Sequence, residues 1–156
     1  MIVIEMNDGK VIKLELDETA APKTVANFNK LVSEGFYDGL SFHRIIPRFM
    51  IQGGDPIGNG TGGSKENIVG EFASNGFNNP IKHVRGVISM ARAMDPNSAS
   101  SQFFIMHADA PHLDGQYAGF GKITEGIEAA LKIANVRRDF QDKPLEPVVI
   151  KTVTVE

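Results

Sequence analysis

The feature that most constrains this chain is the brevity of its apolar runs. Nearly all of them span four to eight residues, alternate or branch at Cβ, and stop at Gly, Pro, Asn or Asp, which is how strands and turns are written. Ile2, Ile4 and Met6 face Val11, Ile12, Leu14 and Leu16 across Asn7-Asp8-Gly9-Lys10, a hairpin signal because a tight turn there needs positive φ. Further strand-like runs fall in 41–54, broken at Pro47-Arg48, and at Val87–Ala91, Gln102–Met106, Phe120–Ile123 and Val148–Val155. Only two segments change period. Residues 22–34 place Val25, Phe28, Leu31 and Val32 at helical spacing behind Pro22 and ahead of Gly35, and Ile127, Ala130, Leu131 and Ala134 repeat the pattern. About eight short strands with two helices and few βαβ alternations predict a mainly β barrel or sandwich with helices packed on it.

At 156 residues one domain, 1–156, is the expected count. No repeat or linker divides it. The chain contains no cysteine, which removes thiolate nucleophiles, disulfides and zinc–thiolate sites. A net charge of −3, with Arg137-Arg138 as the one adjacent basic pair, argues against nucleic acid as a partner. The start MIVIEM runs directly into polar positions and no apolar run approaches a membrane span, so the expectation is a cytoplasmic protein with no membrane partner.

Familiar catalytic patterns are missing or out of context. Residues 53–63 hold six glycines in eleven positions. Gly58-x-Gly60-x-x-Gly63 fits a dinucleotide spacing, but no helix opens after it and Glu66 and Glu71 follow where phosphate would sit. A loop passing close to other backbone explains the glycines better. His43, His83, His107 and His112 form no helical metal-binding pair, and no Gly-x-Ser-x-Gly elbow occurs.

What remains is an arginine among apolar residues. HRII (43–46) and FMIQ (49–52) place Arg44 and Gln52 on strands, and Gln102-Phe103-Phe104 adds a second amide beside two phenylalanines that must divide between opposite faces. On pattern alone this is either a ligand site or ordinary core beside a surface arginine.

The segments FHRIIPRFMIQGGD (42–55), SMARAMDPNSASSQFFI (89–105) and HLDGQYAGFGKI (112–123), together with PKTVANF (22–28), resemble cyclophilins, a family of peptidyl-prolyl cis–trans isomerases. The likeness spans nearly the whole chain and is nearest to small bacterial members. It implies a closed, eight-stranded antiparallel β-barrel capped by two helices, with a groove on its outer face. It also implies action on proline-containing peptides and unfolded chains, a rotation that makes and breaks no heavy-atom bond and so requires no cofactor, and nothing in the sequence suggests more than a monomer. By the same resemblance Arg44 is the catalytic arginine, Phe49, Met50, Phe104 and Leu113 are the wall of a proline pocket, and Gln52 binds substrate backbone. Ala91 and Arg92 lie where substrate runs along the backbone, Gln102 lies at the pocket edge, and His43 is a buried, hydrogen-bonded residue behind the arginine. The chain departs from the commoner pattern at His112, where many members have tryptophan, and at Tyr117, where they have histidine. Both rings retain a hydrogen-bond donor, so peptide binding is expected to persist, with weak binding of the cyclic peptide cyclosporin. Arg92 replaces asparagine, and Arg48 fills a turn often given to glycine, at a cost in strain if its φ is positive.

Overall fold

A computed structural model describes residues 1–156. The strands are β1 (Ile2–Met6), β2 (Val11–Leu16), β3 (Phe42–Ile46), β4 (Met50–Gly53), β5 (Val87–Met90), β6 (Phe103–Met106), β7 (Gly119–Glu125) and β8 (Ile150–Val155). The helices are α1 (Pro22–Ser33) and α2 (Ile127–Ala134). All eight strands join one antiparallel sheet in the order β3-β4-β6-β5-β7-β2-β1-β8. The β1–β2 hairpin turns where the Asp-Gly pair sits, with Gly9 at φ 92° donating its N–H to the carbonyl of Met6.

The sheet curls without completing a barrel, which corrects the expectation of full closure. Its two ends, β3 and β8, meet only at the isolated bridge between Ser41 and Val149. That bridge consists of the Phe42 N–H donating to the Val148 carbonyl and the Ile150 N–H donating to the Leu40 carbonyl, and beyond it irregular chain takes over: Ile45 N–H donates to the Asp142 carbonyl and Gly39 N–H to that of Ile150. Loops thereby satisfy edges that a ladder would otherwise have to pair.

Alternation assigns each face. Ile45, Ile51, Ile105 and Ile88 stand side by side across four strands and point into the main core, where Val25, Phe28, Leu31 and Val32 of α1 and Ala130, Ile133 and Ala134 of α2 meet them. The aromatic centre of that core is Phe103, packed within about 6 Å of Phe28, Tyr37 and Phe42 ring to ring. Phe104, the next residue, faces the other way. It joins Met50, Val87, Met106, Ala110 and Leu113 in a second, smaller apolar cluster on the outer face. Leu131, counted with the helical stripe, is only half-buried, and Ile133 takes the interior place.

The turn between β3 and β4 carries Arg48 at φ 57°, so a side chain does occupy the left-handed region there. Such a residue costs roughly 1–2 kcal/mol relative to a relaxed backbone. The loop 64–85 is tied down from within. Buried Glu71 accepts both the N–H and the hydroxyl of Thr24 in the first turn of α1, at 2.7 and 2.8 Å, which satisfies one of that helix's free amide donors.

Candidate active site

The outer face is organised by strand register. Arg44 lies opposite Gln52, Gln52 opposite Phe104, and Phe104 opposite Ser89, so β3, β4, β6 and β5 present one continuous row. Because side chains alternate, the row shares its face with Met50 and Met106 two residues along.

Along the row runs a chain of polar contacts. Arg44 Nη1 donates to Gln52 Oε1 at 3.2 Å, Gln52 Nε2 to Gln102 Oε1 at 2.9 Å, and Gln102 Nε2 to the carbonyls of Gly60 and Gly62 at 3.1 and 2.8 Å. The guanidinium is exposed, yet its direction is set by the amide beside it. Each glutamine uses both ends of its amide, so one orientation of each satisfies the whole chain.

The glycine-rich segment therefore borders this face, in agreement with its reading as a loop near other backbone. It is shaped by Asp55, whose buried carboxylate accepts the N–H groups of Ile57, Asn59 and Gly60 at 2.8, 3.1 and 2.6 Å. Burial opposes charge on that group, but the backbone donors outweigh it and hold the carboxyl below its ordinary range. Between this loop and the 91–100 segment lies a cavity of about 240 Å³, lined in part by Gln52, Gly60, Ala91, Arg92, Ser98 and Gln102.

On the other side of the row lies an apolar cluster. Met50, Phe104 and Leu113 are buried in the outer cluster, with Phe49, Ala91 and Tyr117 packed at its margin. His112 tilts against Phe49 with ring centres 5.9 Å apart, and Tyr117 meets Phe104 edge to face at 5.7 Å. The two family departures thus border the same apolar cluster.

Two residues differ from expectation. Arg92 does more than contribute backbone: its guanidinium lies over the rings of Tyr117 and Phe72 at 4.6 and 4.9 Å, and its Nη2 donates to the Gln116 carbonyl at 2.6 Å. This fastens the 91–94 segment to the 116–117 segment. His43 is buried, but neither ring nitrogen has a hydrogen-bond partner, which corrects the expectation that it is hydrogen-bonded. Burial pushes its pKa down, countered by Asp55 nearby. Sequence reasoning also missed Asp55, Phe72, His83, Ser89 and Asp114. Asp55 binds backbone two to five residues on, with the Asp55-Pro56 step at the head of the glycine loop as its local hint, whereas the other four act through contacts farther along the chain.

A family model for the cyclophilin type peptidyl-prolyl cis-trans isomerase matches residues 1–155. The chain belongs to the cyclophilin family. It is 50% identical over 130 residues to peptidyl-prolyl cis-trans isomerase B of Bacillus subtilis, covering 83% of this chain and 87% of that protein. A peptidyl-prolyl cis-trans isomerase of Schizosaccharomyces pombe is 42% identical over 156 residues, 99% of this chain and 98% of that protein. Among solved structures, a Cryptosporidium parvum cyclophilin crystallised in the presence of the dipeptide Ala-Pro superposes with a TM-score of 0.91 at 36% identity, covering 99% of this chain and 98% of that one.

Proposed function

We propose that this outer face accelerates rotation about X–Pro peptide bonds in flexible or unfolded chains, and that Arg44 is its catalytic residue. The observation that carries the reading is the row Arg44–Gln52–Phe104, which sets a fixed cation one strand away from the amide and two from the apolar wall. A peptide bond resists rotation by about 20 kcal/mol because twisting destroys amide resonance. Twisting also restores a lone pair to the proline nitrogen. That lone pair accepts a hydrogen bond the planar amide cannot accept, so a donor placed beside it binds the transition state more tightly than the ground state. Arg44 suits the part because guanidinium stays protonated at any working pH.

The proline ring packs against Phe49, Met50, Phe104 and Leu113, with His112 and Tyr117 closing the sides. That packing removes water that would favour the polar planar amide. Gln52 holds a substrate carbonyl or amide, and the chain before proline lies along Ala91 and Arg92 over the cavity edged by Gln102. One side of the bond is then fixed while the other turns. No bond between heavy atoms changes. The reading gains weight from the C. parvum relative prepared with Ala-Pro. A protease-coupled assay on a chromogenic X–Pro peptide tests it: the protein speeds the cis-to-trans step, and absence of any acceleration refutes the proposal.

A further inference from the structure

Behind the apolar wall lies a buried polar triplet that the reaction above does not use. His83 is 1% exposed. Its Nδ1 is 3.2 Å from Asp114 Oδ1, which also accepts the His83 backbone N–H at 2.6 Å, and its Nε2 is 2.8 Å from Ser89 Oγ. An ionised carboxylate can only accept, so the ring proton sits on Nδ1, and Nε2 is left to accept the Ser89 hydroxyl proton. Asp, His and Ser in that order have the connectivity of a hydrolase triad. Ser89 is fully buried, however, so its oxygen reaches no substrate, and the hydroxyl acts as a donor to the ring.

The three members belong to three parts of the outer face. Ser89 stands directly across from Phe104 in the β5–β6 register. Asp114 follows Leu113 and precedes Tyr117 in the 111–117 segment. The ring itself stacks on Phe104 at 6.1 Å and 23°, and meets Tyr117 edge-on at 6.5 Å. We propose that His83 is a positioning residue for the isomerisation: fixed in one tautomer between Asp114 and Ser89, it sets the tilt and depth of the Phe104 ring against which proline packs. This rests on the reading of the outer face as an X–Pro site. Burial keeps the ring uncharged against the pull of Asp114, and His112, the other titratable group facing it, works in the same direction as burial. A charged ring would reverse the second bond, with Nε2 donating to Ser89 Oγ and the Ser89 hydroxyl proton left to find another acceptor.

Two measurements test the proposal. Nitrogen-15 imidazole correlation spectra of the wild type at pH 7 should show His83 neutral with its proton on Nδ1; a proton on Nε2, or on both nitrogens, overturns it. In the isomerase assay, His83→Phe keeps an aromatic ring but loses both bonds, and kcat/KM should fall by about tenfold or more, the scale of loss expected when a packed group shifts by a fraction of an ångström. His83→Gln keeps one donor and one acceptor and should recover most of that loss, which a purely space-filling role would not produce. Wild-type kcat/KM in folded His83→Phe, or Gln performing no better than Phe, overturns the proposal. If His83→Phe does not fold, Ser89→Ala removes the Nε2 bond alone and should still lower kcat/KM; an unchanged value overturns the proposal. An inactive wild type instead defeats the isomerase reading itself, so the two failures are distinguishable.

Discussion

Replacing Arg44 with alanine removes the donor assigned to the proline nitrogen while disturbing little else. The side chain is exposed and its one hydrogen bond within the protein is the 3.2 Å bond to Gln52, so folding stability should change by less than about 0.5 kcal/mol, as for other surface substitutions. A hydrogen bond from a charged donor is worth about 1.5–3 kcal/mol. At about 1.4 kcal/mol per tenfold, kcat should fall roughly 10- to 150-fold, with peptide affinity nearly unchanged because the planar ground state never accepts this bond. Gln52→Ala should cost less, since it frees the guanidinium to wander without deleting it. The two losses should not add in the double variant, because without Arg44 the aiming by Gln52 has nothing to act on. Steady-state assays on an X–Pro peptide, with affinity from titration of a non-turnover peptide, give all four corners of the cycle. A single variant Arg44→Ala within twofold of wild type would refute the role given to the arginine, and strict additivity would refute the aiming by Gln52.

The two adjacent phenylalanines should behave differently. Phe103→Ala empties the aromatic centre of the main core and should cost about 3–5 kcal/mol in denaturant unfolding, the usual price of deleting a buried ring; a loss under about 1 kcal/mol would contradict the packing described. Stability should also fall on acidification. Burial lowers the folded-state pKa of His43 and His83 from 6.5, so the unfolded chain binds protons first; their contribution is full above about pH 6.5 and is lost as pH falls toward the folded values. His43→Phe should flatten that slope, and melting curves from pH 8 to 5 that coincide with wild type would show that His43 takes no part. Cyclosporin should inhibit weakly because His112 offers a smaller ring than tryptophan at the edge of the apolar cluster, and His112→Trp should strengthen inhibition; tight inhibition of the wild type would show that this position matters little.

Much of the site was legible before the fold was known, for reasons specific to strands. Alternation alone separated Phe103 from Phe104, and the short apolar runs around them put Arg44 and Gln52 on strands. The proline break at Pro47 located the β3–β4 turn, and the Asp-Gly pair located the first hairpin. Long motifs resembling the cyclophilins suggested the roles proposed for them. Other features carried no local mark. The unpartnered nitrogens of His43 have no signature in the sequence, and the fastening of Arg92 over Phe72 and Tyr117 and the Asp114–His83–Ser89 contacts join residues between 6 and 31 positions apart.

By itself, the order of residues determined the strands, the two helices, the direction each side chain takes from its own backbone, and the exclusion of thiol chemistry, because these follow from periodicity and composition within a few residues. Tertiary structure alone decided which strand lies beside which and hence that Arg44, Gln52, Phe104 and Ser89 form one row. It also decided that the sheet curls and is finished by loops instead of closing on itself. Pairing energies along a strand edge are similar for many partners, so the choice among them is made by the shared core and by loops such as 137–148 that reach the free edges, and no short stretch of sequence contains that comparison.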